Sequence, residues 1–133
     1  MQSGNLPVTP NPLRPDLRWA IEAAQSKKAA GVTLLDLSGL GAFTNAFLLC
    51  TGFSSRQVQA IADEIEQELT RHGREPLHRE GYNSGEWVLL DYGGFVVHIF
   101  GERARLYYDL ERLWRSARRT DLPDVDAAGA AGA

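Results

Sequence analysis

Three histidines, two strand-end aspartates, one cysteine and one glycine-serine junction are the groups in this 133-residue chain whose types could do chemistry. His72, His78 and His98 could in principle meet around a metal, but no two lie within five residues of each other and the single cysteine adds no thiolate cluster. His98 is expected on a strand face with Val96, satisfied by a hydrogen bond. Asp36 and Asp91 each fall late in a predicted strand, where paired carboxylates can hold magnesium for nucleotidyl transfer. Neither has a second carboxylate two residues away, so the simpler reading is that each accepts loop N–H groups where its strand ends. Cys50 lies in an apolar run, where burial raises a thiol's pKa and makes it inert. Thr51-Gly52-Phe53-Ser54-Ser55 forms a strand–helix junction that could take an anion on helix amides, although such junctions also occur without a ligand. No catalytic, metal-binding or cofactor-binding residue is expected, and no cofactor.

The elements that must position these groups are legible from periodicity. Asp16 can cap a helix starting near Leu17, and Gly31 suits the left-handed position after its end. Residues 32–37 and 46–51 read as strands, the second apolar on both faces as in a helix-backed sheet. The clearest helix runs over 55–72, with Val58, Ile61, Ala62, Ile65 and Leu69 on one face. Ser54 caps it, with Gln57 completing a capping box. Residues 76–80 suit an edge strand, since Pro76 cannot donate a ladder bond. Strands over 87–92 and 95–100 form a hairpin around Gly93-Gly94. Leu106, Leu110 and Leu113 mark a last helix, with Glu111 and Arg115 spaced as an ion pair. The expected fold is α/β: a mixed sheet of about five strands packed with three helices. Neither a Gly-x-Gly-x-x-Gly nor a Gly-x-x-x-x-Gly-Lys-Ser/Thr motif occurs.

Composition narrows the class. Hydrophobic residues make up 44% and charged residues 23%, enough for a core, and the net charge of −3 argues against broad nucleic-acid binding. No apolar run is long enough to cross a bilayer and no secretory signal is apparent, so a cytoplasmic location is expected. Four prolines crowd residues 1–15, and residues 120–133 hold three aspartates and an Ala/Gly run. Both ends are expected to be disordered, leaving 16–119 as the folded domain.

Trp87, Tyr92, Phe95, Tyr107, Tyr108 and Trp114 all fall in the C-terminal third. Trp87, Leu89 and Asp91 share one side of their strand; Val88, Leu90 and Tyr92 share the other. An uncovered face bearing Trp87 would be an apolar patch of the kind that binds another protein. Helices covering both faces would bury it instead.

Several motifs in order resemble one family. Cys50-Thr51-Gly52, Ser54-Ser55-Arg56-Gln57-Val58 and Ile61-Ala62-Asp63 carry the first half. Glu80-Gly81-Tyr82-Asn83-Ser84-Gly85-Glu86-Trp87, Leu90-Asp91-Tyr92-Gly93, Val96-Val97-His98-Ile99-Phe100 and Tyr107-Tyr108-Asp109-Leu110-Glu111-Arg112-Leu113-Trp114 carry the second. Together they resemble the ribosomal silencing factor (Iojap-related) family over about residues 16–114. The resemblance implies a nucleotidyltransferase-like topology without transferase activity. It implies binding to ribosomal protein uL14 of the large subunit, a block on joining of the small subunit, and repression of translation when nutrients are scarce. A homodimer off the ribosome and contact with neighbouring rRNA are implied as well. The uL14-binding residues expected here are Trp87, which matches the family's tryptophan, with Leu89, Asp91, Tyr92 and Phe95. Two positions depart from the family pattern: Asn45 and Gly94 stand where aspartate is usual, and both changes lose a carboxylate. A nucleotidyl-transfer or nucleotide-binding enzyme on the same fold is the rival reading.

Overall fold

A computed structural model describes residues 14–124. The disorder expected at the two ends falls, for residues 1–13 and 125–133, outside the described residues.

The chain opens on α1 (Pro15–Ser26), with Arg14 at the N-cap and Pro15 in the first turn, where its missing N–H is no loss. Asp16 is therefore inside the helix and not its cap. Its buried carboxylate accepts from the Leu17 N–H at 2.9 Å and from Arg14 at 3.1 Å, and pairs with Arg74. The left-handed position immediately after α1 falls to Lys28 (φ +64°), and Gly31 is left-handed as well (φ +56°). Gly31 lies within β1 (Ala30–Asp36), which pairs antiparallel with β2 (Ala46–Gly52). Every residue of β2 is buried, as its unbroken apolar run requires of a strand covered on both faces. Next, α2 (Ser55–Arg71) starts as expected, with Ser54 Oγ accepting the Gln57 N–H at 3.0 Å. The Gln57 side-chain oxygen accepts the Phe53 N–H at 2.7 Å, one residue beyond the Ser54 N–H of the usual capping box.

A short edge strand β3 (His78–Glu80) leads to the hairpin of β4 (Trp87–Asp91) and β5 (Val96–Gly101). Tyr92 N–H donates to the Phe95 carbonyl at 2.9 Å across Gly93-Gly94. Gly93 takes the positive φ (+86°) that the tight turn demands. The predicted last helix is broken into α3 (Glu102–Tyr108) and α4 (Leu110–Leu113) by Asp109, whose φ is +50°. The expected Glu111–Arg115 pair is replaced by longer-range ones: Glu111 binds Arg105 at 2.7 Å and Arg119 at 3.6 Å.

The sheet order is β3-β4-β5-β2-β1-β6, with β2 and β5 parallel and every other neighbouring pair antiparallel. The sixth strand, β6 (Arg118–Asp121), corrects the domain boundary expected at residue 119. Thr120 and Asp121 pair with β1, and Thr33 Oγ1 donates to the Asp121 carboxylate at 2.9 Å. Leu122 packs against the core beyond it. Polar edge strands carry no apolar periodicity, so composition alone could not separate this one from a tail.

Both sheet faces are apolar but are covered unequally. Leu34, Leu48, Cys50, Val88, Leu90, Val97 and Ile99 meet α1 and α2 in the main core. On the other face, Leu35, Phe47, Leu49, Val96 and Phe100 form a smaller cluster. Ala104, Leu110, Trp114 and Ala117, from the chain after β5, pack over it while staying partly exposed. That segment is too short to roof the whole sheet.

Candidate protein-docking face

Trp87 opens β4 at the end of a turn that depends on a glycine. Gly81 has φ +82°, and a Cβ there would lie 2.0 Å from the Trp87 carbonyl oxygen, so no other residue fits. The Gly101 N–H holds the Glu86 carbonyl at 2.8 Å, and Trp87 then stands opposite Phe100, Leu89 opposite His98 and Asp91 opposite Val96. Trp87, Leu89 and Asp91 are half-buried and alternate with buried Val88 and Leu90. The Trp87 ring lies 5.0 Å from Phe100 and 4.5 Å from Tyr108. Its indole N–H donates to His98 Nδ1 at 3.1 Å. The structure thus falls between the two sequence expectations: α3 leans on the ring through Tyr108, and the face is left partly open.

The same side of the molecule carries further aromatic surface. Phe43 is 77% exposed and sits 6.5 Å from Phe47, which meets Trp114 edge-on at 5.9 Å. Leu106, Tyr107 and Leu113 on α3 and α4 are 72–82% exposed. Apolar exposure on this scale makes this side a candidate interaction surface. Tyr108 and Phe43 were not anticipated as part of it. Tyr108 joins because α3 folds back towards Trp87, a tertiary fact without a local signal.

Tyr92 and Phe95 do not belong with Trp87. Tyr92 is 3% exposed and Phe95 fully buried; they stack at 5.2 Å inside the core shared with α1 and α2. Strand alternation puts Tyr92 on the side of Val88 and Leu90. The Tyr92 hydroxyl has no hydrogen-bond partner, and burial pushes its pKa well up. Tyr92→Phe is therefore expected to hold or raise stability by up to about 1 kcal/mol. A urea midpoint below wild type would show that the hydroxyl is satisfied in solution.

The remaining candidates do not converge on one site. Asp36 accepts from Ser38 N–H at 3.0 Å, and Asp91 from Gly93 N–H at 2.8 Å, the strand-end role expected of both. Strands β2 and β5 separate the strands that carry them. His72 stacks on Trp19 at 3.6 Å, and His78 binds Glu80. Among the described residues, no three of His, Cys, Asp and Glu group as a metal site would require. Burial pushes the Cys50 thiol up to about 12. The Gly52–Ser55 junction lines an open cleft of about 860 Å³ beyond the parallel strands, where Glu86 and Glu102 set negative charge beside Arg103.

A helix-backed mixed sheet with a half-open aromatic face defines a mixed α/β domain. The family described as ribosomal silencing factor during starvation matches residues 10–133. The chain is 41% identical over 109 residues to the ribosomal silencing factor RsfS of Halalkalibacterium halodurans, covering 82% of this chain and 93% of that one. It is 30% identical over 102 residues to the chloroplastic protein Iojap of Zea mays, covering 77% of this chain and 44% of that one. A crystal structure of a Chromobacterium violaceum protein superposes with a TM-score of 0.72 at 39% identity, covering 74% of this chain and 82% of that one. The chain belongs to the ribosomal silencing factor family.

Proposed function

We propose that this chain docks on ribosomal protein uL14 of the large subunit through the face built on Trp87, Leu89 and Asp91. The observation that carries the reading is the half-exposed Trp87, at the position of the family's tryptophan and with its indole held in one orientation. Tyr92 and Phe95, buried in the core, stabilise the strand behind the face and make no contact with the partner. The mechanism needs no chemistry: the docked domain fills space that the small subunit would occupy, and translation falls when nutrients are scarce. A net charge of −3 discourages indiscriminate adhesion to rRNA, so contact with neighbouring rRNA follows from docking and does not drive it. Joining of purified subunits, followed by light scattering, tests this. The chain is expected to slow and lower 70S formation when mixed first with large subunits. Joining at the control rate and extent would refute it.

Off the ribosome, the exposed aromatic side is shielded by a second copy of the chain. Light scattering at micromolar concentration is expected to give about 29 kDa, twice the chain mass of 14.7 kDa. A mass that stays at one chain across the accessible range would remove the shielding.

A further inference from the structure

His98 stands at mid-strand in β5, opposite Leu89 on β4 and Leu49 on β2. It is 4% exposed and enclosed by aromatic rings: Phe47 edge-on at 4.5 Å, Trp87 at 5.8 Å and Phe100 at 6.0 Å. Its two nitrogens are in different situations. Nδ1 lies 3.1 Å from Trp87 Nε1. An indole nitrogen can only donate, so Nδ1 is the bare acceptor and the neutral imidazole carries its hydrogen on Nε2. That Nε2 is buried without a hydrogen-bond partner. A polar ring with one nitrogen unsatisfied is a poor choice for core stability alone, where leucine would bring no polar atom of its own.

We infer that His98 is a positioning residue of the docking face, which orients Trp87 for its partner by accepting the indole N–H. This rests on the reading that the Trp87 face docks uL14. On an open sheet face, an indole whose N–H is satisfied by water samples several rotamers. With the N–H fixed on Nδ1, and Phe100 and Tyr108 against the ring, one rotamer remains and the ordering is complete before the partner arrives. Burial keeps His98 neutral, and so keeps Nδ1 an acceptor, throughout the neutral range.

The first test uses the full-length wild type. Long-range 15N–1H correlation spectra of the histidines are expected to show His98 protonated on Nε2 and bare on Nδ1; the opposite tautomer would overturn the inference. The second compares variants. His98→Leu removes the acceptor, whereas His98→Asn keeps an amide oxygen near the place of Nδ1. In His98→Leu, exchange of the Trp87 indole N–H is expected to speed up at least tenfold, and affinity for isolated uL14 to fall about tenfold, with the urea midpoint unchanged or higher. His98→Asn is expected to recover most of both losses. Wild-type affinity in folded His98→Leu, alongside a loss in Trp87→Ala, would reject His98 and leave the docking face standing. Wild-type affinity in both would reject the docking face itself. Should His98→Leu fail to fold, His98→Asn decides: slow indole exchange with near-wild-type affinity supports the inference, and freely exchanging indole with undiminished affinity overturns it.

Discussion

Replacing Trp87 with alanine is expected to cost about 2–4 kcal/mol of binding to uL14, roughly 30- to 1000-fold in affinity. A large ring with one N–H donor, lying between buried Phe100 and half-exposed Tyr108, has the character of an interface anchor. The same contacts mean that the change also acts on folding. A fully buried tryptophan would cost about 3–5 kcal/mol of stability on truncation, and a half-buried one about half of that. Affinity must therefore be read on protein shown to be folded. Trp87→Phe supplies the control, because it keeps most of the ring area and loses the bond to His98. It is expected to bind more tightly than alanine and more weakly than wild type, with Glu86→Ala as a neighbouring surface reference. Titration of folded variants against isolated uL14 measures this. Alanine at wild-type affinity in a folded domain would remove Trp87 as the anchor.

The second large effect is on stability in acid. Burial holds the His98 pKa down at about 4, against an ordinary 6.5. Between these values the unfolded chain takes up a proton that the folded chain refuses, so the unfolded state is favoured as pH falls. The contribution from neutral His98 is complete above about pH 6.5, declines from there to about pH 4, and is level below. The full loss is about 3 kcal/mol. Carboxylates titrate in the same window, so the wild type alone does not isolate the effect. The difference from His98→Leu does: it is expected to be flat above pH 7 and to move by about 3 kcal/mol in favour of leucine by pH 4. Urea unfolding of both proteins across that range measures it, and parallel pH profiles would contradict the depressed pKa.

The long helix, the central strands and the Gly93-Gly94 hairpin were readable because each has a strong local cause. α2 has a 3.6-residue apolar stripe and a serine cap, β2 an unbroken apolar run, and the hairpin a glycine pair. What escaped was set by distant parts of the chain. Strand β6 is four exposed residues recruited by the open edge of β1. The break at Asp109 lets Glu111 turn to Arg105, which also donates to Thr51 and Thr33, and no propensity encodes that convergence. Of the five residues expected at the docking face, alternation within β4 kept Trp87, Leu89 and Asp91 together. Tyr92 and Phe95 lie on the opposite side of the sheet, in the core shared with α1 and α2. The role of His98 was half visible: its place on the face with Val96 follows from period two, but its donor comes from the neighbouring strand.

Sedimentation of the full-length chain with purified 50S and 30S subunits is the most direct test of ribosome docking. The chain is expected to pellet with 50S particles and to stay in the supernatant with 30S particles. Failure to pellet with 50S, or equal pelleting with both, would contradict docking on the large subunit.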